Sequence, residues 1–271
     1  MQHLGPGPDD AAPQRSERAH YVRVPAHWIA GCSDTGLRHR TNQDAMCLAT
    51  REQPTPAAVL AVADGVTTAP GAEIASVVAA ETVVEELVGR IRSGQAANVA
   101  FVQAFASANQ AVLEAREEPS ACTLIAALVD NGAIAVGNVG DSRAYWLGDD
   151  GLCQLLSTDD SMAQARMMLG MSRDDAERSS QAHAITKWLG RNSTNFLPSV
   201  ITMQPSTNGW LLLCSDGLWN YASAPDALWD VFTEQLQQGP APRQLAEGLV
   251  AWANAQGGKD NVTVVVARIE V

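Results

Sequence analysis

The chain has 271 residues, 46% of them hydrophobic, which suits one fairly large domain with a substantial core and leaves no room for a second catalytic domain. A net charge of -12 argues against nucleic acid or an anionic membrane surface as partner. No stretch reaches the roughly 18 apolar residues of a membrane span, and the N-terminus lacks the apolar core of a signal peptide, so a cytoplasmic protein is expected.

Residues 1–20 are rich in Pro, Gly and charge and are expected to form a disordered tail, with one domain over 21–271. WIAGCSD, AMCLAT and AAVLAVAD then read as three short strands. Pro70 and Gly71 introduce a long helix, along which Ile74, Val77, Val78, Val84, Leu87, Val88 and Ile91 recur at helical spacing. A second helix is expected to align Val99, Val102, Phe105, Val112 and Leu113. Asn131-Gly132 between two β-rich runs predicts a hairpin, and a Gly-Asp-Asp-Gly turn within RAYWLGDDGLCQLL predicts another.

From about Ser161 to His183 the pattern turns polar and methionine-rich, with SRDDAE as a helix start. WLLLCSDG resumes the strands, helices follow over about Pro225 to Leu236 and Pro242 to Asn254, and NVTVVVARI closes the chain. Hairpins in series with paired helices predict an α+β fold of antiparallel sheets under helical outer layers. The five cysteines form no C-x-x-C pair and read as reduced core thiols.

Two apolar runs end in Asp-Gly, AAVLAVADG at Asp64-Gly65 and GWLLLCSDG at Asp216-Gly217, and a further carboxylate, Asp260, stands in GGKDN before the last strand. Asp-Gly alone is a common turn dipeptide. Three strand-delivered carboxylates so far apart in sequence suggest a metal site, because they meet only if nearly the whole chain folds around one point. Together with SDTGLRHRTNQDA and VGDSRAY, in this order, they resemble the type 2C metal-dependent serine/threonine protein phosphatases, over about Trp28 to Val271.

The resemblance implies a four-layer α-β-β-α sandwich of two mainly antiparallel sheets. It also implies hydrolysis of phosphoserine and phosphothreonine by a water activated between two Mg2+ or Mn2+ ions, without a covalent intermediate. No Cys-x5-Arg nucleophile loop is read in the chain, which argues against the thiol-based phosphatases. Carried over position by position, Asp64 bridges the ions, Gly65 offers its carbonyl, Asp216 and Asp260 hold the second ion, and Asp44 supports the site. Asp141 falls at the position linked, with Asp216, to a third and weaker ion. The partners implied are phosphorylated proteins, the products of a serine/threonine kinase. Segment 161–183 corresponds to a flap beside the metal site, where Met162, Met167, Met168 and Met171 either meet substrate or dock the flap.

Several positions depart from the family pattern. Gln43 stands where a glutamate is common, and Thr67-Thr68 replaces a glycine pair. His39 aligns with a phosphate-binding arginine, flanked by Arg38 and Arg40. His39 is thus a candidate for phosphate binding or for general acid catalysis, with Arg38 and Arg40 as further phosphate contacts. Two other readings stand beside the favoured one: a non-catalytic regulatory or scaffold domain on the same fold, and a phosphatase of small metabolites.

Overall fold

The computed structural model describes residues 18–92 and 94–271. The expected tail lies outside these residues for its first 17 positions; Arg18 and Ala19 are within them, and His20 already opens the first strand. In chain order the elements are β1 (His20–Ala26), β2 (Ile29–Asp34), β3 (Ala45–Arg51), β4 (Ala57–Ala63), α1 (Ala72–Arg92) and α2 (Ala97–Ala115). Next come β5 (Ala121–Cys122), β6 (Leu124–Asp130), β7 (Ala133–Val139), β8 (Arg143–Gly148) and β9 (Cys153–Leu155). The segment after β9 carries α3 (Met162–Met168), α4 (Arg173–Arg178), β10 (Leu189–Gly190) and β11 (Ser199–Met203). The chain ends in β12 (Gly209–Cys214), α5 (Asp216–Trp219), α6 (Pro225–Gln238), α7 (Pro242–Ala255) and β13 (Val262–Ile269).

A six-stranded sheet runs β1-β2-β13-β12-β8-β9 and a five-stranded sheet runs β11-β7-β6-β4-β3, with β5 and β10 as a separate short pair. Every ladder is antiparallel. The period of two along each strand explains the layers. In β4, Leu60 and Val62 point into the core between the sheets, while Val59, Ala61 and Ala63 face α1 and α2. In β12, Leu211 and Leu213 point between the sheets, while Trp210, Leu212 and Cys214 face α6 and α7. Strands covered on both faces are continuously apolar, which is why these runs stand out in the sequence.

The outer helices follow local signals. Pro225 and Pro242 occupy the first turns of α6 and α7, where a missing N–H costs nothing. Asn131 and Gly132, at φ 50° and 75°, make the two-residue turn joining β6 to β7. On α2, however, the buried face is Ala100, Phe101, Ala104, Phe105, Ala108 and Val112, with Val99 and Val102 outside. Those two valines instead line a shallow apolar groove with Pro198 and Val200. On α1 the buried stripe is likewise rich in alanine (Ala72, Ala75, Ala79, Ala80) beside Val83, Val84 and Leu87, and Ile74 is exposed. Small side chains let α1, α2 and the sheet approach closely; Val84, Leu87, Phe105 and Val112 lie in the buried stripes as expected, whereas Ile74, Val99 and Val102 do not.

Candidate metal centre

Register brings the carboxylates together. Ala63 of β4 pairs with Ala45 of β3, so Asp64 and Asp44 leave the five-stranded sheet at the same end. Cys214 of β12 pairs with Val264 of β13 and with Arg143 of β8, which sets Asp216, Asp260 and Asp141 at one end of the six-stranded sheet. Because the sheets are stacked face to face, the two ends meet. Burial holds the Asp64 carboxyl well above its usual range, and the charges of Asp44, Asp216, Asp141 and Asp260 push it further. Asp216 is raised in the same way, by burial first and then by Asp141, Asp260 and Asp44.

The supporting contacts are specific. Asp64 N donates to Thr123 Oγ1 at 3.2 Å, Asp64 O accepts from Thr123 N at 2.7 Å, and Gly65 N donates to Gln43 O at 3.1 Å. A Cβ on Gly65 would stand 2.7 Å from the Ala72 carbonyl and 2.8 Å from that of Gln43, so only glycine fits there. A Cβ on Gly217 would overlap the Asn261 carbonyl. Ser215 Oγ donates to Asp44 Oδ2 at 2.7 Å and accepts from Thr263 N at 2.9 Å. Asn220 donates to Asp216 Oδ2 at 2.9 Å. Asn261 Oδ1 accepts from Gln43 N at 2.7 Å, and its Nδ2 donates to Thr35 O at 2.7 Å, tying the first motif to the last. Ser215, Asn261 and Thr123 escape a reading by pattern; their one signal is that each lies within a residue of a named motif or strand.

The donor set fits hard divalent cations. Asp44 Oδ1 and Asp216 Oδ1 are buried without a hydrogen-bond partner, an arrangement that costs free energy unless a ligand answers it. Among the described residues, no three His, Cys, Asp or Glu side chains close on one point as a ready-made single-ion cage. A set of carboxylates that forms no ready-made cage agrees with ions that keep several waters and take few protein oxygens each.

The other expected site residues divide. His39 Nε2 lies 3.3 Å from Asp260 Oδ1, so it is at the cluster. Arg38 and Arg40 beside it are exposed. Asp141 is buried, and burial raises its carboxyl, with the Asp159 charge as the next cause. In the flap, Met167 packs with Ala163, Ala176 and Ala182 in a small core, whereas Met168 and Met171 are exposed. The four methionines therefore do not act alike.

Contrary to the expectation that no Cys-x5-Arg string is present, Cys32 to Arg38 has that spacing. The structure decides against a thiol nucleophile there: Cys32 is fully buried in β2, and burial pushes its thiol up to about 12. No disulfide links the cysteines among the described residues.

A family model described as protein phosphatase 2C matches residues 37–254. The chain belongs to the protein phosphatase 2C family. A serine/threonine phosphatase stp of Listeria innocua is 33% identical over 146 residues, 53% of this chain and 55% of that protein. The chain spans about half the length of the curated relatives it matches. The Mycobacterium tuberculosis serine/threonine phosphatase PstP/Ppp superposes with a TM-score of 0.72 at 27% identity, covering 92% of this chain and 99% of that one. A second structure, the PstP catalytic domain in complex with two manganese ions, gives 0.66 at 25% identity over 92% of this chain and 99% of that one. The protein phosphatase 2C fold of these structures agrees with the sandwich of two antiparallel sheets flanked by helices.

Proposed function

We propose that this chain hydrolyses phosphoserine and phosphothreonine in proteins, with two divalent cations, Mg2+ or Mn2+, held by Asp44, Asp64, Gly65, Asp216 and Asp260. Asp141 and Asp216 offer a third, weaker position. The observation that carries the reading is the meeting of Asp44, Asp64, Asp141, Asp216 and Asp260 from distant chain segments, close enough that the charges of the others raise the carboxyls of Asp64 and Asp216. Clustered carboxylates repel, and divalent cations answer that repulsion. When bound, such ions activate a water for attack on phosphorus and neutralise charge on the phosphoryl oxygens.

The chain's own residues orient and steer. Ser215 and Asn220 fix one oxygen each of Asp44 and Asp216 and leave the other oxygen for a cation. Exposed Arg38 and Arg40 give the mouth of an otherwise acidic site the positive charge that attracts a phosphoryl dianion. Free thiols fit a reducing, cytoplasmic setting. No described helix is long and apolar enough to cross a membrane.

The test is phosphate release from a phosphothreonine peptide and from an aryl phosphate, with Mn2+ and with excess chelator. Chelator-sensitive release from the peptide is the expected result. Mn2+ binding without turnover would favour the regulatory reading, to which Gln43 in place of an acidic ligand lends itself. Turnover of small phosphates alone would favour a metabolite phosphatase.

A further inference from the structure

Arg143 opens β8 two residues after Asp141, and its side chain is only 2% exposed. Its Nε donates to both carboxylate oxygens of Asp159, at 3.0 and 3.1 Å, and its Nη2 donates to Oδ2 at 2.7 Å. Nη1 donates to the Tyr145 hydroxyl at 3.3 Å, to the Ser223 carbonyl at 2.9 Å and to Ser223 Oγ at 3.2 Å. The guanidinium lies over Trp219, 3.7 Å from the ring centroid. Trp219 ends α5, the short helix that begins with Asp216.

Three of these partners, Asp159, Ser223 and Trp219, lead to the flap or to the carboxylates. Asp159 precedes Asp160, whose N–H donates to the Gly140 carbonyl at 2.8 Å and whose Oδ2 accepts from Gly140 N at 3.1 Å, next to Asp141. Asp160 also pairs with Lys187 at 2.8 Å, on the far side of the flap. Ser223 Oγ donates to Glu177 of the flap helix α4 and accepts from Arg173 of the same helix at 3.3 Å. The His183 ring stands 6.1 Å from that of Trp219.

We propose that Arg143 is a positioning residue that couples the flap to Asp141 and Asp216. One planar group holds the base of the flap through Asp159, the helix presenting Asp216 through Trp219, and the Ser223 loop that anchors α4. A desolvated guanidinium has no water to take over a lost partner, so displacement of one of these elements costs hydrogen bonds at the others. Only a fork with a flat face serves all three; a lysine keeps the charge and loses both the fork and the stack. The coupling rests on the metal reading of Asp141 and Asp216, and it is reciprocal: cations at the carboxylates order the flap, and an anchored flap strengthens cation binding.

The experiment measures Mn2+ affinity by calorimetry and hydrogen exchange over residues 161–183 with and without Mn2+, in wild type, Arg143→Lys and Ser223→Ala. Expected are Mn2+-dependent protection of the flap in wild type, Mn2+ binding weaker by about fivefold or more in both variants, and loss of that protection in both. A contact that only supports the fold would lower the melting temperature of the metal-free variants and leave Mn2+ affinity unchanged. Ser223→Ala spares the buried Arg143–Asp159 pair, so it carries the test should Arg143→Lys fail to fold. Unchanged affinity and protection in Ser223→Ala overturn the coupling alone. A wild type that binds no Mn2+ overturns the metal reading and the coupling with it.

Discussion

His39 Nε2 lies 3.3 Å from Asp260 Oδ1, which puts the histidine of the first motif on a candidate metal ligand of the last. An arginine at this position would offer a fixed charge and a fork to phosphate; here the ring spends one nitrogen on a carboxylate. Both side chains keep contact with water, 27% and 40% exposed, so the pair is worth at most about 1 kcal/mol. His39→Ala is therefore expected to lower kcat/KM by roughly fivefold or less, equally for a phosphothreonine peptide and an aryl phosphate. A loss on the order of 10²–10⁴ confined to the peptide would instead identify His39 as the acid that protonates the leaving oxygen.

The carboxylate cluster favours function over stability, and Asp64→Asn separates the two. Asp64 feels burial and the charges of Asp44, Asp216, Asp141 and Asp260, so in metal-free protein its ionised form is a liability. The amide keeps the shape and removes the charge. Metal-free Asp64→Asn is expected to melt a few degrees above wild type, corresponding to about 1–2 kcal/mol, while Mn2+-dependent turnover and Mn2+ stabilisation are largely lost. A lower melting temperature in chelator would show that Asp64 does not stand in a repulsive cluster.

The same repulsion sets a pH dependence. Burial and neighbouring charge push the Asp44 carboxyl up to about 6 and that of Asp141 up to about 7. A carboxyl raised in the folded state keeps its full contribution below its unfolded value near 3.9 and loses it as pH rises through the folded value. Metal-free protein should therefore lose stability steadily between about pH 4 and pH 7. Cations compete with protons for the same oxygens, so the rise in melting temperature caused by Mn2+ should be larger at pH 7.5 than at pH 5.5. Thermal melts at the two pH values check both slopes, and an Mn2+ shift independent of pH would place the ion elsewhere.

What could be read from the sequence follows from how each feature is enforced. β4 and β12 are buried on both faces, so their apolar runs are unbroken, and each ends at an aspartate because the sheet end is where a charge can reach water and ligand. β11 is a half-exposed edge strand, and SVITM carries no such run. The buried face of α2 turns on Ala100, Ala104 and Ala108, which a search for large side chains undervalues. The candidate ligands Asp44, Asp64, Asp216 and Asp260 are legible through the dipeptides and motifs around them. Ser215 and Asn261 are not, because a lone hydroxyl or amide leaves no periodic trace, and their partners Asp44 and Gln43 are remote in sequence. Arg143 is a charge inside an apolar strand, a conflict visible in the sequence whose resolution, Asp159 and Trp219, requires the fold.

The flap presents its clearest target for mutation at its tip. Ser161 and Ser172 cap α3 and α4, and Ala163, Ala176, Ala182 and Met167 hold the two helices together, so the segment is a small unit with its own core. Met168 and Leu169, 77% and 89% exposed, stand outside that core. If the proposed substrates are phosphoproteins, two adjacent exposed apolar side chains on this segment offer them an adaptable contact that a small aryl phosphate does not need. The double variant Met168→Ser with Leu169→Ser is expected to fold as wild type and to lose roughly tenfold in kcat/KM on a phosphoprotein, through KM, with aryl phosphate turnover unchanged. Equal losses on both substrates would mean that the tip acts on the architecture of the site, and no loss on either would remove it from substrate recognition. Because both side chains are largely exposed and stand outside the segment's core, Mn2+ affinity measured on the same variant should stay at the wild-type value, which keeps substrate contact at the tip separate from coupling at the base.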